Sequence, residues 1–147
     1  MKKYIATIGT VSHGTLNPVD LIPCFVELLE QLDNKNYTDL INEGKKIIES
    51  EDFESENASI FLNEDLFNAL QDFAPNYCYF GNTESDWSDF GYWVYSDIAE
   101  DFEGLKVEDT SEIPDNYNGE VLHINDHGNV TLYSCVNGEN TEIWSIV

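Results

Sequence analysis

The sequence predicts an α+β protein, with a first strand and three helices packed on a mostly antiparallel sheet that ends in a C-terminal β-meander. Three observations predict it. Apolar residues recur at helical spacing through residues 20–73, aromatic strand-like runs take over after Pro75, and an Asn-Gly hairpin signal lies near the end of the chain. Helices followed by strands are the order expected when helices are segregated to one face of an antiparallel sheet. Residues 1–147 are expected to form a single domain, about 1–75 mainly helical and about 76–147 mainly strand.

Residues 3–11 alternate loosely, with Tyr4, Ile5, Ile8 and Val11 apolar, and predict a strand ended by the turn signal of Ser12, His13 and Gly14. Over residues 20–32 a helix places Leu21, Phe25, Leu28, Leu29 and Leu32 on one face and Glu27, Glu30 and Gln31 on the other. Asp20 is its expected N-cap, with Pro23 in the first turn. Residues 37–48 carry the clearest helical spacing, at Tyr37, Leu40, Ile41, Gly44, Ile47 and Ile48, and the short Asn-rich link at 33–36 makes the two helices an antiparallel pair. The acidic "ESEDFESEN" reads as a solvated loop. A third helix over 59–73 buries Leu62, Leu66, Leu70 and Phe73 and stops before Pro75.

Residues 77–80 and 89–95 read as the strands of a hairpin with alternate aromatics in the core, joined by a long loop, "GNTESDWS", at 81–88. Residues 96–117 are acidic and less regular, with a short helix at 97–103 and a loop through Pro114. "GEVLHIND", "VTLYSCV" and "TEIWSIV" then form the meander, turning at 126–129 and at Asn137-Gly138.

Charge is the most informative property of the chain. The formal net charge is −23, with no arginine. Residues 1–46 hold five lysines against six acids, whereas residues 47–147 hold Lys106 alone against twenty-three acids, a net of −22. Such a surface repels phosphate, which argues against direct binding of nucleic acid or of an anionic membrane and in favour of a basic protein partner. Cys24, Cys78 and Cys135 are odd in number and widely spaced, as reduced thiols in a cytoplasmic setting would be. The apolar run after Lys2 and Lys3 is broken by Thr7, Ser12 and His13, so no signal peptide is expected. No run approaches the ~18 residues of a membrane span.

Motifs for chemistry are weak. Asn82, Glu84, Asp86 and Ser88 alternate like calcium ligands, but Trp87 stands where such a loop needs glycine and Trp93 where it needs a bidentate glutamate. His13, His123 and His127 with Cys78, Asp86 and Asp126 are the candidates for catalysis, without a local signature around any cysteine. His123 is expected on the solvent face of its strand and His127 in an exposed turn, while Cys24 and Cys135 read as small buried hydrophobes. No metal-ligand spacing and no phosphate-cradling loop occurs, so neither a metal nor a cofactor is expected.

"APNYCYFGNTESDWSDFGYW", "VLHINDHGNVTLY" and the terminal "EIWSIV", with "SHGTLNPVDLIPCFVELLEQL" near the start, resemble small acidic proteins of unassigned function carried by phages and plasmids. In that group the first stretch reads roughly Tyr-Cys-Tyr-Phe-Gly, an acidic Gly-containing loop, then Asp-Phe-Gly-Phe-Trp, with a residue smaller than Trp87 in the loop. The resemblance spans most of the chain and transfers no catalytic residue. Because mobile elements encode acidic proteins that occupy the DNA sites of defence enzymes, it implies an anti-restriction or anti-CRISPR inhibitor. Size is compatible: 22 charges at one per ~1.7 Å correspond to about 37 Å of duplex, against a diameter near ~40 Å for a compact chain of this length.

The expected function is therefore a non-enzymatic DNA mimic, cytoplasmic in the host cell, that binds a basic nucleic-acid-binding defence protein. Its expected contact residues are Glu84, Asp86, Asp89, Asp97, Glu100, Asp101 and Glu103, with Trp87 as the apolar anchor. Two alternatives stand beside it: a structural or interaction protein of a mobile element whose acidity serves solubility, and an enzyme using paired carboxylates.

Overall fold

Helix α1 (Pro18–Asp33) starts on Asn17, not on Asp20. The Asn17 carbonyl accepts from the N–H groups of Asp20 and Leu21 at 2.9 and 3.0 Å, and its side-chain oxygen accepts from that of Val19 at 3.2 Å. Pro18 thus takes the first helical position, where a missing N–H costs nothing. Asp20 falls in the first turn and accepts the Thr15 hydroxyl at 2.6 Å, and Pro23 lies inside the helix, where it forfeits one backbone bond.

The computed structural model describes residues 5–33 and 35–146. Lys3 and Tyr4 of the predicted first strand, Asn34 of the predicted link and Val147 of the last predicted strand lie outside them. The fold is α+β. The chain divides into two compact units, Met1–Val94 and Tyr95–Val147, and its strands form two sheets where the sequence suggested one.

In the first unit α2 (Thr38–Ser50) folds back on α1. Gly44 makes that approach possible, since a Cβ there would lie 2.5 Å from Val26 Cγ2, and Lys45 Nζ meets Glu30 Oε2 at 2.6 Å alongside. The helix closes with Glu51 in the left-handed region (φ 57°) while Glu51 and Asp52 donate to the carbonyls of Ile48 and Ile47, a Schellman-type stop. The third helical run begins earlier than its apolar spacing predicts. Ser55 caps α3 (Glu56–Ile60) by accepting from the Ala58 N–H at 3.1 Å, and a π-helical turn, Phe61–Leu66, leads into α4 (Phe67–Gln71). Leu62, Leu66, Leu70 and Phe73 are buried as expected.

Strands β1 (Gly9–His13), β2 (Cys78–Thr83) and β3 (Asp86–Val94) form an antiparallel sheet with β3 in the middle. β1 is shifted from its predicted place. The Ala6 N–H bonds the Phe73 carbonyl at 2.9 Å instead of a strand, and Ser12 and His13, read as a turn, pair with Phe90 and Asp89. A Cβ on Gly91 would lie 2.1 Å from the Gly9 carbonyl oxygen, so β1 reaches β3 only because residue 91 is glycine. The helices cover one face of this sheet: Phe25 meets Phe67, Phe80 and Phe90 edge-on at 5.8, 5.2 and 5.6 Å, and the buried Tyr92 hydroxyl donates to the Leu70 carbonyl at 2.7 Å.

In the second unit a short helix, α5 (Ile98–Asp101), precedes a four-stranded sheet in the order β4 (Leu105–Val107), β5 (Gly119–Ile124), β6 (Val130–Val136), β7 (Glu139–Ile146). The meander matches expectation, down to positive φ at Asn137 (51°) and Gly138 (85°), the conformation that favours Asn-Gly in a two-residue hairpin. β4 was hidden in a stretch read as loop. Its three residues are too few to show a period, and it pairs in parallel with β5 across a connection that includes a 3₁₀ turn, Thr110–Glu112. Val107, Val121 and Cys135 pack with Leu105, Ile113, Tyr117 and Tyr133, while Leu122, Leu132 and Trp144 are also buried.

Candidate functional site

The predicted long loop at 81–88 is mostly strand. Thr83 pairs with Asp86 across a two-residue turn, Glu84 and Ser85, and Asn82 pairs with Phe90, so Trp87, Ser88 and Asp89 form a bulge with no partner on β2. A bulge of this kind bends its strand and re-aims its side chains. Trp87 is the result: its side chain is turned outward and is 76% exposed. The other two tryptophans are not presented in this way, since Trp93 is half-buried with its indole N–H on the Gly81 carbonyl at 2.9 Å and Trp144 is buried.

Polar contacts fix the backbone on both sides of Trp87. Its carbonyl accepts from the Asn82 side-chain amide. Asp86 Oδ1 accepts from the N–H and hydroxyl of Ser88 at 3.0 and 2.8 Å, Asp86 Oδ2 lies 3.1 Å from His13 Nε2, and the Gly14 N–H donates to the Ser88 carbonyl at 3.1 Å. The bonds from Ser88, and then from His13, hold the Asp86 carboxyl below the usual carboxylate range. Asp89 is half-buried, and its Oδ1 is enclosed without a hydrogen-bond partner among the described residues.

Glu84, Asp86, Trp87 and Asp89 therefore share one hairpin tip, with Glu84 in the turn itself. Asp97, Glu100, Asp101 and Glu103 belong to the second unit. There α5 turns Ile98 inward, followed by the buried Phe102, and leaves all four acids exposed. Asp97 and Asp101 stand four apart, a like-charge spacing that opposes so short a helix, so burial of Ile98 and Phe102 holds it. The eight expected contact residues thus divide four and four between the units.

Of the catalytic candidates, the fold joins His13 to Asp86, 73 residues away. The chain of contacts runs Ser88 to Asp86 to His13, so the carboxylate sits between the hydroxyl and the imidazole, and the histidine has no contact with the serine through which to take its proton. His127 lies 3.9 Å from its neighbour Asp126 in an exposed turn. His123 is half-buried where a solvent face was expected: its Nε2 is 3.1 Å from the Glu108 carbonyl and its ring stacks on Tyr133 at 6.5 Å. Burial pushes the Cys78 thiol up to about 12 and raises Cys135, and burial with the nearby Glu27 raises Cys24, so none of the three is a ready thiolate.

The calcium-like residues are turned to each other: Asn82 holds the Trp87 carbonyl and Ser88 holds Asp86. Among the described residues no group of three or more His, Cys, Asp or Glu is placed to hold a metal ion. Two open cavities lie elsewhere. One, of about 490 Å³, lies between the segment ahead of β1 and the Cys24 side of α1, and the other, of about 410 Å³, lies at the ends of β4 and β5 beside Lys106, Glu108 and Asp126. No helix among the described residues is long and apolar enough to cross a membrane.

Sequence reasoning singled out Asn82, Ser88 and His13 for other roles and missed that they hold the tip. His13 carried no local signal, because its partner is remote in the chain. Comparison with protein families, with curated proteins and with solved structures gave no match.

Proposed function

We propose that the chain is a non-enzymatic acidic inhibitor, carried by a mobile element, that occupies the nucleic-acid site of a basic host defence protein such as a restriction enzyme or a CRISPR effector. Charge carries the reading. Six lysines face twenty-nine acids, and one of those lysines, Lys45, is already paired with Glu30, so a large negative charge stays uncompensated within the chain. A nucleic-acid groove is the kind of protein surface that complements it, because it is built to neutralise closely spaced phosphates. The hairpin tip supports the same reading with an exposed aromatic anchor among carboxylates.

A second reading, acidity for solubility, is favoured by the spread of charge over both units. The first holds seventeen acids against five lysines, a net of −12, and the second twelve against one, a net of −11.

The test is competition with DNA. Purified restriction and RNA-guided nucleases are given duplex DNA at low and high ionic strength with increasing amounts of the protein. The proposal expects loss of DNA binding and cleavage at low salt, relieved by excess DNA and weakened steeply by salt. Unchanged DNA binding at low salt overturns it in favour of the solubility reading, and inhibition indifferent to added DNA overturns occupancy of the nucleic-acid site.

A further inference from the structure

We propose that Trp87 is an arginine-docking platform: a basic partner lays a guanidinium on the exposed indole face, within the negative potential of the Glu84, Asp86 and Asp89 carboxylates. The inference rests on the reading that the partner is a basic protein, and it adds the side chain by which that partner is engaged.

Trp87 stands exposed at the tip of the β2–β3 hairpin. A tryptophan is among the largest apolar surfaces a chain can bury, and this one is 76% exposed on a bulge whose backbone is pinned by Asn82, Ser88 and Gly14. A ring on a fixed backbone loses little conformational freedom on binding, which is what a recognition element requires. Aromatic faces attract cations through the ring quadrupole, and tryptophan does so best. No arginine exists in this chain to cover the indole, and His13, the basic group at this tip, is engaged with Asp86. The exposed indole face is therefore left to another molecule.

Charge decides which molecule. A second copy of this chain brings no arginine and a further −23, and nucleic acid brings phosphate, so both are repelled. A basic protein segment is attracted. Among its cations the guanidinium is favoured over the ammonium, because it is planar, weakly hydrated and stacks on aromatic faces, whereas lysine is a strongly hydrated point charge. The enclosed Oδ1 of Asp89 in the same bulge adds negative potential that no hydrogen-bond donor among the described residues offsets.

The experiment is calorimetric titration with oligo-arginine and oligo-lysine peptides of equal length at low ionic strength, using the full chain and its Trp87→Ala and Trp87→Phe variants. The exposed position makes both variants compatible with folding, which circular dichroism checks. The expected result is an arginine preference of up to about fivefold in the parent, the ceiling that an exposed cation–π contact converts to when lysine competes for the same ring. Trp87→Ala should abolish the preference, weakening the arginine peptide more than the lysine peptide, and Trp87→Phe should retain part of it. Equal binding of the two peptides, or a preference that survives Trp87→Ala, overturns the platform and leaves the basic-partner reading standing. Absence of binding to either peptide overturns both.

Discussion

The β6–β7 turn at Asn137-Gly138 and the β2–β3 turn at Glu84-Ser85 each join antiparallel strands through two residues. In the first, conformation is dictated locally, by two residues that tolerate positive φ (51° and 85°). In the second, the turn leads at once into a three-residue bulge whose shape depends on Asn82, on Ser88 and on His13 from the other end of the unit. The first turn is set mainly by its dipeptide, with one outside bond from the Asn137 N–H to Asn118 Oδ1 at 2.9 Å. The second is a property of the assembled β1-β3-β2 sheet, so it should fail whenever that sheet fails.

Gly91→Ala should separate the two most sharply. The new Cβ would meet the Gly9 carbonyl at 2.1 Å, forcing β1 from β3 and taking His13 away from Asp86. We expect a loss of about 3 kcal/mol in denaturant unfolding, with hydrogen exchange rising in β1 and β3 before it does in β6 and β7. Equal loss of protection in both hairpins would contradict the comparison. Gly138→Ala is the reciprocal change, costing about 1–2 kcal/mol for a side chain at φ 85° and leaving the NMR environment of Trp87 unchanged.

Asn82→Ala should cost about 1 kcal/mol, the net worth of a typical hydrogen bond, and broaden the Trp87 indole resonance as the bulge loosens. Asp89→Asn is expected to stabilise the protein by about 0.5 kcal/mol in the same assay, since it removes charge from an enclosed oxygen that has no donor among the described residues. The smallest effect concerns acidity. Asp86 is held below the ordinary carboxylate value in the folded protein, so its stabilisation is present above that value, about 3.9, and is lost as pH falls through the folded one. A pH titration should therefore move the Trp87 resonance in the acid range, with a midpoint below the ordinary carboxylate value, and Asp86→Asn should remove that movement.

The same contrast explains what the sequence reveals. Periodicity located α1 and α2 and the leucines of the third helical run, because burial of one face is written at regular intervals. Asn137-Gly138 was legible because its chemistry is local. The start of α1 was misplaced because Asn17 and Asp20 are both good caps, and the position of Pro18 decides between them. β4 left no trace, since a three-residue parallel strand is defined by its partner β5. At the candidate site, the acidic and aromatic content of the tip was readable, and so was the importance of Trp87. The bulge was not, because glycine and acidic residues read as loop until His13 and Asn82 are known to stand beside them.

The exposure of Trp87 also gives the protein a built-in optical label. With Trp144 buried and Trp93 half-buried, intrinsic emission comes from one ring in water and two that are at least partly shielded. The negative charge of the chain enriches a cationic quencher such as caesium at the outer ring and repels iodide. A difference between the two quenchers therefore isolates the hairpin tip from the rest of the molecule without any dye, and its disappearance would mark the moment at which the ring is covered.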